Sequence, residues 1–247
     1  MRGRTAGVSV EVSGFRPDSA IARIADSQVR EEGDVLRPPT TGISADRMWL
    51  RWGKRLCDLL LAGVLLLVSS WLICVLAGVI IVIDGRPALY RRRVVGRDYR
   101  EFDAFKLRSM VADADELLRN NASLRAEFEL RYKLERDPRV TRVGRFLRMS
   151  SLDELPQLVN VLKGDMSLIG PRMMTRDELR RYGPDAGIVV SVRPGLSGLW
   201  QVSGRQLSDP DARRRYDIEY VRRASFVLDA SILARTVWVV LARRGAW

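Results

Sequence analysis

The sequence predicts a mostly helical α+β protein fastened to a membrane. Three observations carry that expectation. An uncharged apolar run of 25 residues stretches from Leu59 to Ile83. Two short β-prone segments follow and fold back around Gly96–Asp98. Farther on, stretches of helical apolar spacing carry arginines along one edge. The fold class read from these is a monotopic membrane protein. It has an N-terminal re-entrant helical hairpin, a small β-hairpin and amphipathic interfacial helices.

Residues 1–45 are mixed and polar, include PPTTG (Pro38–Gly42) and show no sustained periodicity. They read as a flexible extension, and no apolar core follows MRGR soon enough for a signal peptide. Residues 46–85 form the membrane segment. As a helix, its uncharged run spans roughly 37 Å, more than a hydrocarbon core of about 30 Å. Arg47, Arg51, Lys54 and Arg55 precede the run, and Arg86, Arg91, Arg92 and Arg93 follow it. Basic residues gather on the cytoplasmic side of membrane segments. Equal clusters at both ends therefore suit a helix that enters and returns on one face. Ser69 and Ser70, near the midpoint, offer hydroxyls to backbone carbonyls at a bend. A straight span is the alternative, since no proline marks a break.

Residues 86–247 follow as the remaining domain. Val111 to about Leu134 has helical character. In RVTRVGRFLR, Arg139, Arg142, Arg145 and Arg148 recur every third residue, with Val140, Val143, Phe146 and Leu147 between them. On one helix these arginines stay near one edge, as suits either a membrane surface facing lipid phosphates or a solvated basic face. Ala224–Leu241 is a second amphipathic candidate.

The net charge of +12 calls for anionic partners. Two cysteines, Cys57 and Cys74, make neither a disulfide framework nor a zinc spacing. The chain has no histidine, which excludes Ser-His and Cys-His nucleophiles and His-ligated metals. Acid, base and nucleophile work falls mainly to carboxylates, and any divalent cation should be a hard, oxygen-bound one such as magnesium.

Attention therefore falls on SSLDELPQLVNVLKGDMSLIGPR (Ser150–Arg172). Ser151-Leu-Asp-Glu154 fits a capping box, with acids at the positive end of a helix and Pro156 near its start. It also fits chemistry. Adjacent carboxylates raise each other's pKa unless a cation compensates, and Arg148 or magnesium could do so. A carboxylate beside a metal can attack phosphorus and form an acyl phosphate. Lys163-Gly-Asp165 and Gly170-Pro-Arg172 place turn formers beside an acid and a guanidinium. RPGLSGLWQVSGR (Arg193–Arg205) holds three glycines, which permit close backbone approach to a ligand or form an ordinary surface loop. Asp113-Ala-Asp115 and Asp209-Pro-Asp211 are set aside as metal sites. The first lies in a helical run, where i and i+2 do not share a face, and the second reads as a turn.

From about Lys54 onward the chain resembles the bacterial sugar transferases, the monotopic polyprenyl-phosphate phosphoglycosyl transferases that initiate exopolysaccharide and glycan assembly. The blocks carrying the resemblance are KRLCDLLLAG, RVVGRDYREFDAFKLRSM, DPRVTRVGRFLRMSSLDELPQLVNVLKGDMSLIGPR and RPGLSGLWQVSGR. The resemblance implies an enzyme on the bacterial inner (cytoplasmic) membrane, with residues 86–247 as its cytoplasmic catalytic domain. Such an enzyme moves a sugar 1-phosphate from a nucleoside diphosphate sugar, commonly a UDP-sugar, to polyprenyl (undecaprenyl) phosphate. It implies Asp153 as covalent nucleophile, Glu154 as its dyad partner, and magnesium held by both. Arg148 and Arg172 match family arginines, and with Lys106 and Arg108 of KLRSM they are expected to bind substrate phosphate. Arg193, Gln201 and Arg205 are expected to contact nucleotide. Expected partners are both substrates and a bilayer with anionic head groups; a second copy of the chain is an option, and nucleic acid is not expected. Where the family's membrane segment bends at Ser-Pro, this chain has Ser69-Ser70-Trp71, and Pro-Arg-Pro is Pro171-Arg172-Met173. Two rivals stand beside this reading. One is a membrane-tethered, non-enzymatic module binding anionic lipid or nucleic acid. The other is a glycosyl transferase that forms no covalent intermediate.

Overall fold

The computed structural model describes residues 49–131, 134, 137–203 and 210–241. The expected extension over 1–45 lies outside them. After a π-helical turn at Trp49–Gly53, the membrane segment is one helix, α1 (Lys54–Asp84). The expected two-limbed hairpin is thus a continuous 31-residue helix here, about 46 Å long if straight. Its middle is an almost unbroken surface of exposed Leu, Val and Trp71, long and apolar enough to cross a membrane. Ser69 Oγ donates to the Leu65 carbonyl at 2.6 Å and Ser70 Oγ to that of Leu67 at 2.8 Å. The polar midpoint is therefore satisfied within the helix itself.

Both ends of α1 are fastened to the domain that follows. At the first end, Lys54 Nζ and Trp49 Nε1 donate to Asp229 Oδ2 at 2.7 and 3.1 Å. Asp58 Oδ1 accepts from Ser167 Oγ and the Leu168 amide, and Ala62 is fully buried in the main core. At the far end, Ile80 is fully buried against Ala88, Leu107 and Leu147.

The expected β-hairpin is present. Strands β1 (Leu89–Val95) and β2 (Glu101–Leu107) pair antiparallel, with Val95 opposite Glu101 and Leu89 opposite Leu107. The single helix expected over 111–134 is two, α2 (Ala114–Asn120) and α3 (Ala122–Arg131). Asn121 separates them because its Oδ1 accepts from the Leu124 amide and Ser123 Oγ, starting a new helix instead of continuing the old one. Asp113 and Asp115 are both exposed.

The arginine stripe is also revised. Helix α4 begins only at Arg142 (Arg142–Met149), capped by Thr141, whose side chain accepts from the Gly144 amide. Arg139 lies before it, buried in a two-nitrogen pair with Asp137 at 2.8 Å each. Of the four arginines, Arg142 and Arg145 face outward with Phe146 and Met149.

Helix α5 (Gln157–Lys163) packs on the hairpin through Asn160, which is fully buried. Asn160 Oδ1 accepts from the Phe105 amide and its Nδ2 donates to the Asp103 carbonyl, so one side chain satisfies the edge of β2 as a strand would. The remaining elements are β3 (Ser167–Ile169), α6 (Arg176–Arg180), α7 (Ala186–Val190), β4 (Gly195–Ser197), α8 (Leu199–Val202), α9 (Pro210–Arg223) and α10 (Phe226–Leu241). A capping box does occur, at α6, where Thr175 and Glu178 bond reciprocally.

β3 and β4 form a short parallel pair that sequence periodicity did not reveal. It explains the glycines of RPGLSGLWQVSGR differently from either expectation. The Gly195 amide donates to the Pro171 carbonyl at 2.8 Å, and the Gly170 amide to that of Ser197 at 2.9 Å. A Cβ on Gly195 would stand 2.1 Å from the Gly170 nitrogen, and one on Gly198 would stand 2.2 Å from the Gly170 oxygen. The close approach is to the chain's own Gly170-Pro171-Arg172, which these glycines hold in place. Gly195→Ala is accordingly expected to destabilise the protein by about 1–3 kcal/mol through overpacking, read as a lowered Tm in detergent.

Candidate active site

Four segments build the site. Arg148 closes α4, Leu152–Glu154 forms a tight 3-10 turn before α5, and Lys106 and Arg172 approach from β2 and from the segment after β3. Ser151 sits at φ 57° in the left-handed region, which reverses the chain so that the turn lies against α4. This corrects the capping-box expectation. Ser151 makes no side-chain cap bond, the dyad lies before α5, and that helix starts at Gln157 behind Pro156.

Asp153 is buried, 5% exposed. Glu154 Oε1 accepts from Lys106 Nζ at 2.7 Å and Arg172 Nη2 at 2.9 Å. Lys106 Nζ also lies 3.8 Å from Asp153 Oδ2. Arg148 Nε donates to Ser109 Oγ at 2.9 Å, and its charge acts on Asp153. The two acids therefore have opposite electrostatics. Burial pushes the Asp153 carboxyl above the ordinary aspartate range; Lys106 opposes that shift and the Glu154 charge adds to it. Burial would raise Glu154 too, but Arg172 and Lys106 overcome it and hold that carboxyl well below the usual range. Glu154 is held ionised between two cations, while the buried Asp153 carboxyl holds its proton more readily than an ordinary aspartate.

Arg108, expected at a phosphate, instead lies under the end of α1. Its Nη2 donates to the Asp84 and Gly85 carbonyls at 2.6 Å each. Arg193 Nε donates to the Gly164 carbonyl at 2.8 Å. With Arg55, which bonds the Val161 and Leu162 carbonyls, Arg193 closes the C-terminal end of α5, away from the dyad. Gln201 is buried in α8, its Oε1 close to Gly198. Arg205 lies outside the described residues.

Two contributors went unread in the sequence. Ser109 orients Arg148. Arg213 pins the backbone that carries Arg172, donating from Nη2 to the Arg172 and Met173 carbonyls at 3.2 and 3.4 Å. Arg213 is in turn held by buried Asp217, which also accepts from Tyr182 Oη at 2.8 Å. The one sequence signal for Arg213 is a run of three arginines, which does not say which of them turns inward.

Among the described residues no group of three or more His, Cys, Asp or Glu converges as a ready-made metal cage. The donor chemistry still suits magnesium, which is typically held by one or two carboxylates and completed by substrate phosphate and water. Lys106 and Arg172 both bond Oε1 of Glu154, so Oε2 and the Asp153 carboxylate stand outside that pair of bonds. Cations beside a raised-pKa carboxylate, at the foot of an apolar helix, can bind phosphate and stabilise its transfer.

The bacterial sugar transferase family model matches residues 49–243. An undecaprenyl-phosphate galactose phosphotransferase of Salmonella typhimurium is 46% identical over 201 residues, which are 80% of this chain and 42% of that protein. The exopolysaccharide production protein ExoY of Rhizobium meliloti is 39% identical over 198 residues, 78% of this chain and 88% of ExoY. A UDP-glucose:undecaprenyl-phosphate glucose-1-phosphate transferase of Escherichia coli is 32% identical over 244 residues, 94% of this chain and 49% of that protein. The chain thus spans under half the length of two of these relatives.

Proposed function

The chain belongs to the bacterial sugar transferase family, and from that premise we propose that it is a polyprenyl-phosphate sugar-1-phosphate transferase. The observation carrying the proposal is the paired electrostatics of Asp153 and Glu154 among Lys106, Arg148 and Arg172. The donor is a nucleoside diphosphate sugar, in keeping with the UDP-glucose in one relative's name. The acceptor is undecaprenyl phosphate, and the product primes a polysaccharide.

An Asp153 carboxylate oxygen attacks the sugar-bearing phosphorus. The bond from that phosphorus to the oxygen bridging the nucleotide breaks, and the nucleoside monophosphate leaves with the electron pair. A phosphate oxygen of the polyprenyl phosphate then attacks the same phosphorus, breaks its bond to Asp153 and restores the carboxylate. Lys106, Arg172 and Arg148 neutralise the charge that gathers on the phosphoryl oxygens in both steps. Glu154 keeps Lys106 and Arg172 in place; its depressed pKa suits that role better than proton transfer. Magnesium would be held by Asp153 and Glu154 and would supply further charge neutralisation.

The membrane geometry belongs to the same proposal. Arg55 grips Val161 and Leu162, the adjacent Asn160 grips β2, and β2 ends on Leu107 against Ile80. A helix tied at both ends to one domain favours a re-entrant segment in one leaflet, with the catalytic face at the cytoplasmic head groups.

The test is incubation of purified protein with undecaprenyl phosphate, magnesium and a panel of nucleoside diphosphate sugars. Release of nucleoside monophosphate with one donor is expected. No release with any donor would favour the non-enzymatic module. The pH profile adds a second check. The nucleophile must be ionised, so activity falls as pH drops through the raised Asp153 pKa, at higher pH than an ordinary aspartate near about 3.9. Arg148 lowers that pKa, so Arg148→Gln should move the acid limb of kcat/KM upward; an unmoved limb would remove Arg148 from the account.

A further inference from the structure

We propose that Asp84, the last residue of α1, is a positioning residue for the active site. Its carboxylate sets the start of α4, so that Arg148 is held at the turn carrying Asp153 only when the membrane helix is seated. The proposal rests on the reading of Asp153 as the reacting carboxylate.

The link runs through one hydroxyl. Thr141 Oγ1 donates to Asp84 Oδ2 at 2.8 Å and accepts from the Gly144 amide at 2.8 Å. The cap of α4 and the anchor to α1 are therefore the same group, used in both directions. The circuit closes through β2's exit. Arg108 holds the Asp84 and Gly85 carbonyls, and its amide donates to the Ala88 carbonyl at 2.7 Å. The next residue, Ser109, accepts at its carbonyl from the Thr141 amide at 3.2 Å and at Oγ from Arg148 Nε at 2.9 Å. Gly144 leaves α4 no freedom to slide, because a Cβ there would stand 1.9 Å from the Ser109 oxygen. Ile80 and Leu147, both fully buried, press the two helices together one residue before Arg148. Helix α4 has only 8 residues, so a shift of its first turn is carried to its last.

An ordinary helix cap would stabilise α4 and do nothing more. A positioning role makes a stronger demand: the hydroxyl must act through Arg148. Thr141→Val should lower kcat about tenfold to a hundredfold with the nucleotide-sugar KM little changed, as expected for a displaced catalytic cation. Thr141→Ser should restore it. In an Arg148→Gln background, Thr141→Val should cost nothing further. Wild-type kcat in Thr141→Val, or losses that multiply in the double variant, would overturn the proposal. A second measurement does not depend on the reaction. Asp84→Ala should speed amide hydrogen exchange across 144–147, whereas Asp84→Asn, which keeps an acceptor, should do so less. Unchanged exchange in Asp84→Ala would overturn the link whether or not the protein turns over. If the wild-type protein proves inactive, the proposed reaction fails on its own, and exchange alone judges the link.

Discussion

Asp153→Asn is expected to lower turnover by about three orders of magnitude or more while leaving the protein folded. The amide matches the carboxylate in shape, and Glu154 keeps its bonds to Lys106 and Arg172, so the cationic frame survives. What is lost is an anionic oxygen able to take phosphorus. Steady-state release of nucleoside monophosphate, paired with a binding measurement for the nucleotide sugar, reads both halves: kcat collapses and affinity changes little. A variant retaining more than about a tenth of wild-type turnover would assign the chemistry elsewhere.

Arg172→Ala is the second large effect, and it has two components. Arg172 is one of two cations on Glu154, whose side chain keeps 17% of its exposure. Removing one partner of a buried pair strands the other charge, at a cost of several kcal/mol when burial is complete. The Arg172 side chain is 28% exposed and Lys106 stays on Glu154 at 2.7 Å, so about 1–2 kcal/mol is the expected loss of stability. The sign with pH follows from the depressed Glu154 pKa. This stabilisation is present above the unfolded value and is lost as pH falls through the folded one. The difference in Tm between wild type and Arg172→Ala should therefore shrink in strong acid. The catalytic component is a drop of about a hundredfold or more in kcat, since a positioned charge at a transferring phosphoryl group is gone. Arg172→Lys should recover stability better than rate, because an ammonium can replace the charge but not the fork of the guanidinium. Equal kcat in Arg172→Ala and wild type would leave Arg172 a purely structural residue.

The two predictions draw on unequally legible parts of the sequence. The membrane segment and the β-hairpin were readable because composition and turn chemistry are local. The dyad was singled out by the family resemblance, since among 30 acids the missing histidine narrows the chemistry only to carboxylates; Lys106 and Arg172 do lie against it. Arg108 and Arg193 were misread for a common reason. A buried guanidinium that caps backbone carbonyls looks, in sequence, like one waiting for phosphate. Only tertiary placement separates the two. The glycines after Arg193 were misread similarly, since close approach was inferred correctly but its object, Gly170–Arg172, lies across a parallel pairing that no local pattern announces. Ser151 showed a further limit. The capping-box spelling is present, yet Ser151 sits in the left-handed region without a side-chain cap, and the dyad falls in a 3-10 turn just before the helix it was expected to start.

The central claim is that Asp153 forms a covalent bond to phosphorus. Intact-protein mass spectrometry after incubation with the nucleotide sugar and magnesium, with no polyprenyl phosphate, tests it most directly. The account predicts one equivalent of nucleoside monophosphate per active site and a mass gain of one sugar phosphate. The adduct should localise to the Asp153 peptide, be absent in Asp153→Asn, and be discharged when polyprenyl phosphate is added. Normal turnover with acceptor present, but neither burst nor adduct without it, would contradict the account and favour direct transfer between the two substrates.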